Sequence, residues 1–379
     1  MLFQKQKEFF QTLNELSKEE KKAILDTVHK LSWPDVVLQQ EALRVPIHES
    51  EALPLKTCEQ AIGKYRDEGK EALKNNKVAC IILAAGDGSR LNFKGPKGSF
   101  PIMSGKSFFH IFARKIAQLK NTHECKPIIA VMCSDKNLCD TVKHFENNRF
   151  FHLEQNQVIF FSSKSLPLLD EKGNWYLNEK KQIAVGPSGN GEVFSAAKKV
   201  VQKFKEKNVE HVSVIQVDNP LADPFDEELL GYHLHQKNEV TLKCFKRDIP
   251  EEKLGILARC KGAISIKEYF HLPDEAFTKE GLLNYPFANV GNYFFSLDFF
   301  EKMEKKILPF HLSKKKAIKY RVGNINMLKC ERFIFDVLCY SKKTGALCFS
   351  KKECFAPLKS LSDLVNVQNL LLKKEKVVQ

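Results

Sequence analysis

Six consecutive apolar residues, Val78–Leu83 (VACIIL), run directly into a glycine-rich turn, and this junction restricts the fold more than any other feature of the chain. A short run without a polar residue, bounded by polar ones, fits a strand buried on both faces, as in a parallel sheet flanked by helices. The turn that follows carries Ala84, Ala85, Gly86 and Gly88, small residues that let the backbone pass close to an anion. Its glycines are expected at positive φ, with the loop N–H groups directed at the ligand. Arg90 adds a planar guanidinium and Lys97 a mobile ammonium, held apart by Gly95 and Pro96. Together these features describe a nucleoside triphosphate site. The dinucleotide pattern G-x-G-x-x-G is absent because Arg90 and Leu91 follow the glycines, and the P-loop pattern is absent because Gly98 follows Lys97.

Strands and helices alternate around this junction. The first 75 residues read as helical: Leu2, Phe3, Phe9, Phe10, Leu13 and Leu16 recur at helical spacing, and Ser17 with Glu20 forms a capping box for a second helix that Trp33-Pro34 stops. A loop with Pro46 and Pro54 precedes a helix that leads into Val78. Beyond the turn, residues 107–119 have helical period, 127–133 and 158–161 read as strands, and 211–217 as a further buried strand. Ser134 and Asp135, at a strand end, read as caps of a helix starting at Lys136. Residues 186–192 (GPSGNGE) open another helix, and Asp218 ends the strand at 211–217, where ligands bind in open α/β sheets. Strands with charged edges follow from Val240, and Phe333 and Phe335 read as core residues. The expected class is α/β: a Rossmann-like, doubly wound mixed sheet. Three regions are expected: a helical N-terminal region (1–75), a core (76–325) and a small C-terminal region (326–379).

The net charge of +14 raises nucleic acid as a partner, but the lysines are dispersed and no nucleic-acid module is present. Clusters such as Lys314–Lys316 and Lys351–Lys352 read as solvated faces, and the same field would attract an anionic substrate. The 11 cysteines contain no C-x-x-C pair and read as reduced thiols. No apolar run approaches the roughly 20 residues that span a bilayer. These features predict a cytoplasmic protein without a membrane or nucleic-acid partner, monomeric or weakly self-associating.

The joint pattern LAAGDGSRL plus PKG resembles the signature of the UDP-sugar pyrophosphorylase family, in the branch acting on UDP-N-acetylglucosamine and UDP-glucose. Further segments resemble that family in the same order from about residue 60 to 365, namely GPSGNGE, VDN, IKEY, FANVGN, LPFHLSKKK, ERFIFD and FAPLK. The resemblance implies the nucleotide-diphospho-sugar transferase fold. It implies Gly189 and Asn190 as contacts to uracil and ribose, Asp218 as a ligand of Mg2+, and Lys359 as a phosphate ligand. It also implies that Gly255, Glu268 and Asn289 hold the sugar.

The implied reaction is attack of a sugar-1-phosphate oxygen on the α-phosphorus of UTP, releasing pyrophosphate. Arg90, Lys97 and Lys359 would neutralise phosphate charge, and no covalent enzyme intermediate is needed. The favoured sugar is N-acetylglucosamine-1-phosphate, with glucose-1-phosphate as runner-up. Ser162 and Ser163 stand where the family carries glutamines that read uracil, and they are too short for that span. A catalytically silent sugar-nucleotide binder is the alternative of another class.

Overall fold

The computed structural model describes residues 7–44, 52–252, 254–268 and 281–377. Leu2, Phe3 and Pro46 lie outside them. The chain forms two compact units, each assembled from separated segments: the larger from 50–162, 194–306 and 337–379, the smaller from the chain up to 49, 163–193 and 307–336. The three contiguous regions expected from the sequence divide the chain differently, because residues 52–75 pack within the larger unit and 307–336 within the smaller.

The larger unit is built on one mixed sheet with strands β1 (Glu59–Gln60), β2 (Val78–Leu83), β3 (Ile129–Ser134), β4 (Val158–Ser163), β5 (His211–Gln216), β6 (Val240–Lys246), β7 (Phe287–Ser296) and β8 (Thr344–Phe349). Their spatial order is β1-β8-β6-β7-β5-β2-β3-β4. β5, β2 and β3 run parallel, while β7 runs antiparallel to both β5 and β6. The glycine turn therefore leaves the C-terminal end of a strand deep inside the sheet, and all six residues of β2 are buried. A short pair, Ile256–Cys260 and Ala263–Lys267, joins the sheet beside β7 through Ile256 and Ala288.

Helices cover the sheet: α1 (Arg66–Lys74), α2 (Phe108–His123), α3 (Leu138–Asn147), α4 (Lys198–Glu206), α5 (Glu227–His235) and α6 (Leu364–Val377). Ser107 caps α2 by accepting from the His110 N–H, and Asp226 caps α5 by accepting from Leu229. α1 and α5 approach so closely that a Cβ added at Gly231 would lie 1.7 Å from the Tyr65 carbonyl oxygen, and one at Gly69 would lie 2.0 Å from that of Glu227. α3 starts at Leu138, not Lys136, with Asn137 in the cap position.

The smaller unit contains the helices Lys7–Leu13, Lys18–Lys30 and Trp33–Ala42 and the antiparallel ribbon His311–Lys319 with Gly323–Glu331. The Ser17–Glu20 capping box forms as expected. Trp33-Pro34 does more than stop a helix: the second helix ends at Lys30 and this pair opens the third, because proline suits the first turn, where its missing N–H would have no partner. Phe333 and Phe335 do not enter the core. They are half-buried, stack on each other at 5.0 Å and lie beside His311, tilted for Phe333 at 4.6 Å and edge-on for Phe335 at 6.0 Å, while Arg332 and Ile334 take the buried positions. The chain turns into a tight helical segment from Ile334, which leaves the two rings at the margin of the core.

Candidate functional site

β2 continues into the turn through Ala84, whose N–H donates to the Met132 carbonyl at 2.7 Å. The turn then closes on itself. The Gly88 N–H donates to the Gly95 carbonyl at 3.0 Å and the Lys97 N–H to the Gly86 carbonyl at 3.1 Å, so the limbs carrying Arg90 and Lys97 are locked together. Neither Gly86 nor Gly88 takes positive φ, contrary to expectation; of the loop glycines, Gly95 does (φ +159°). Gly88 is required because a Cβ there would meet the Phe93 ring at 2.8 Å, whereas Gly86 is exposed and faces open space. Gly98 is required for another reason: its Cβ would lie 2.2 Å from the ring of Phe109 on α2.

A residue that sequence reasoning missed holds this turn from the next strand. Asn137 is buried, and its Nδ2 donates to the carbonyls of Ala84 (3.1 Å) and Gly86 (3.4 Å). Its Oδ1 accepts from the Ser134 N–H while its own N–H donates to Ser134 Oγ. The signal was the spacing Ser134-x-x-Asn137, which also fits an ordinary cap. The Ser134 backbone N–H orients the side-chain amide, and the amide orients the loop carbonyls.

Lys97 is 8% exposed, and its Nζ lies 3.4 Å from Asp218 Oδ2. Burial pushes its pKa down, Asp218 pulls it up, and the positive charges of Arg90 and Lys359 push it down again. The fold therefore places four predicted residues, Arg90, Lys97, Asp218 and Lys359, within one electrostatic neighbourhood. The Asp218 and Lys359 segments are stitched together, since the Leu358 N–H donates to the Asp218 carbonyl at 2.8 Å. Asn219 secures the join by donating to the Cys354 carbonyl (2.8 Å) and accepting from the Ala356 N–H (3.0 Å).

The three predicted sugar residues are also neighbours. The Asn289 N–H donates to the Gly255 carbonyl at 2.9 Å, and the pairing of Ile256 with Lys267 brings Glu268 beside Gly255. Asn289 lies within β7 and not in a turn. Its amide is already engaged, Nδ2 donating to the Tyr293 hydroxyl (2.7 Å) and Oδ1 accepting from the Gly291 N–H (3.0 Å). Gly291, at φ +83°, forms the irregularity of β7 next to Gln216, two residues before Asp218.

Gly189 and Asn190 belong to the smaller unit. Gly189 has φ +102°, and a Cβ there would lie 2.2 Å from the Arg332 carbonyl oxygen. Asn190 Oδ1 accepts from the Ile334 N–H at 2.9 Å, which fixes the orientation of its side-chain amide. Buried Arg332 braces this segment, pairing with Glu192 and Asp35 and donating to the Leu308 carbonyl. Ser162 and Ser163 both close β4, at the boundary between the segments of the two units.

Among the described residues no group of three or more His, Cys, Asp or Glu side chains could hold a metal ion. A single carboxylate at Asp218 fits Mg2+ none the less, because that ion takes one or two carboxylates and completes its shell with substrate oxygens and water.

A mixed α/β sheet with a glycine turn leaving a central strand is the architecture of the nucleotide-diphospho-sugar transferase fold. Solved structures share this fold. A UDP-N-acetylglucosamine pyrophosphorylase from Trypanosoma brucei matches with a TM-score of 0.84 at 23% identity over 96% of this chain and 81% of that one. A putative one from Entamoeba histolytica matches with a TM-score of 0.77 at 24% identity over 85% of this chain and 88% of that one. Among sequence relatives, mouse UDP-N-acetylhexosamine pyrophosphorylase-like protein 1 is 30% identical over 78% of this chain, and the match spans 63% of the mouse protein's length. UDP-N-acetylglucosamine diphosphorylase 2 of Arabidopsis thaliana is 28% identical over 94% of this chain and 78% of its own. The UTP–glucose-1-phosphate uridylyltransferase family profile matches residues 7–378, and the chain belongs to that family.

Proposed function

We propose that this chain transfers a uridylyl group from UTP to a sugar-1-phosphate, releasing pyrophosphate, and that the sugar is N-acetylglucosamine. The observation that carries the reaction is the buried ammonium of Lys97, 3.4 Å from Asp218 and within the fields of Arg90 and Lys359. A sugar phosphate is already nucleophilic, so what the protein must supply is alignment of two anions and relief of their repulsion. The amides of the glycine turn and Arg90 take the outer phosphates, Lys97 takes the phosphate at the reacting centre, and Lys359 approaches from the C-terminal segment. Asp218 would hold Mg2+, which when bound supplies further neutralisation of the phosphate oxygens.

Relatives at 27–30% identity are UDP-N-acetylglucosamine or UDP-N-acetylhexosamine pyrophosphorylases by name, which supports N-acetylglucosamine, and membership of the UTP–glucose-1-phosphate uridylyltransferase family keeps glucose-1-phosphate as the second substrate. No helix among the described residues is long and apolar enough to cross a membrane. All 11 cysteines are free thiols, which supports a reducing, cytoplasmic setting. The test is pyrophosphate release measured with UTP, ATP, GTP and CTP against a panel of sugar-1-phosphates. Turnover is expected with UTP and N-acetylglucosamine-1-phosphate; binding of a UDP-sugar without any pyrophosphate release would assign the chain to the silent binders.

A further inference from the structure

The turn that presents Asp218 is gripped from behind by two lysines that the proposed reaction does not use. Lys115, in the middle of α2, directs its Nζ to the carbonyls of Pro220 (2.8 Å) and Ala222 (2.6 Å). Lys374, from α6, donates to the carbonyl between them, Leu221, and to that of Glu353, both at 3.3 Å. The Asp218 carboxylate thus goes forward to Lys97 while three successive carbonyls, at 220, 221 and 222, go back to two ammonium groups. Lys115 is costly to keep there. Burial lowers its pKa to about 7, and the neighbouring charges of Lys374, Lys243 and Arg114 oppose the ammonium while Asp223 favours it.

We propose that Lys115 is a positioning residue for the metal-binding carboxylate, fixing the Asp218 turn through its carbonyls, with Lys374 as its weaker counterpart. This inference rests on the uridylyltransferase reading given above. A shift of the turn by a fraction of an ångström would move Asp218 away from the place where it meets the cation, and residues that orient such ligands carry much of a site's affinity. Asn219 and the Leu358 N–H hold the same turn at its other end, so losing Lys115 should loosen the turn without releasing it.

The test compares the full-length wild type with Lys115→Met, which keeps the side-chain length and removes the ammonium. The probe is Mn2+, titrated in the presence of UTP and followed by electron paramagnetic resonance. The variant is expected to bind Mn2+ about tenfold more weakly and to lose about tenfold in kcat, with KM for the sugar phosphate little changed. Lys374→Met, at a half-buried site, is expected to shift Mn2+ affinity in the same direction by a smaller factor. A folded Lys115→Met protein with lowered thermal stability and unchanged Mn2+ affinity would make the lysine a purely structural clip and overturn the proposal. If Lys115→Met does not fold, Lys374→Met decides, and unchanged Mn2+ affinity there overturns it equally. Failure of the reaction reading shows separately, as a wild type that binds Mn2+ with UTP yet releases no pyrophosphate, and a Mn2+ shift in the variants would still support positioning. A wild type that binds no Mn2+ beside UTP removes both.

Discussion

Lys97 combines burial with a single carboxylate partner, and this makes it the most informative residue to change. Its ammonium is held in a largely desolvated position where it can act on developing phosphate charge more strongly than a solvated lysine could. Lys97→Met is expected to lower kcat/KM by about a hundredfold, with the fold retained by circular dichroism. Steady-state pyrophosphate release is the measurement, and near-wild-type turnover by a folded variant would remove Lys97 from the reaction. A second residue reports on stability instead. His233 is buried, with Nδ1 2.9 Å from the Thr241 hydroxyl and Nε2 3.2 Å from His211, and burial pushes its pKa down to about 3. In the unfolded chain it takes up a proton near its ordinary value of 6.5. The unfolded state therefore binds more protons below that pH, and stability is lost as pH falls from 6.5 towards 3. Urea denaturation at pH 7 and pH 5 should show wild type losing about 2 kcal/mol more than His233→Gln across that interval.

At the scale of elements, the crossing of α1 and α5 is set by two glycines. Gly231→Ala places a methyl group on the Tyr65 carbonyl oxygen, and backbone cannot yield as a flexible side chain would. A loss of about 3 kcal/mol is expected, read as a lower urea midpoint with an unchanged slope. Elements whose signal lies within one short window were legible in the sequence. β2 is an unbroken apolar run, the Ser17–Glu20 box spans four residues, and β5 ends two residues before the predicted carboxylate. What depends on a distant partner was not. Asn137 looks like any helix cap until the loop it holds is in view, and Gly88 is needed for Phe93 packing and not for an unusual φ. Asn289 carries a turn-like signature because the irregularity at Gly291 breaks the strand pattern that contains it. The alternating Phe333 and Phe335 read as core residues, yet the segment coils, and Arg332 takes the interior because Glu192 and Asp35 neutralise it there. Within the site, the residue types at 90, 97, 218 and 359 were readable from motifs. Their mutual field, and the lysines behind the Asp218 turn, come only from packing.

For the molecule as a whole, the net charge of +14 acts over distances that no single contact covers. A polyanionic substrate approaching such a surface is steered by it, and salt screens that attraction over roughly 10 Å at 0.1 M. KM for UTP is therefore expected to rise several-fold between about 50 and 500 mM KCl, with kcat changing far less, because the buried Lys97–Asp218 pair is shielded from added ions. An unchanged KM across that range would show that the dispersed lysines serve solubility alone. The discontinuous units add a constraint of another kind. The Asp218 turn is completed by Leu358, Ala356 and Lys374, residues made well over a hundred positions later. A polypeptide still emerging from the ribosome can thus form β2 and its glycine turn early, yet its carboxylate has no finished seat until those late residues arrive. Chains not yet carrying residues 356–374 would then hold that carboxylate on a turn with one side unsupported.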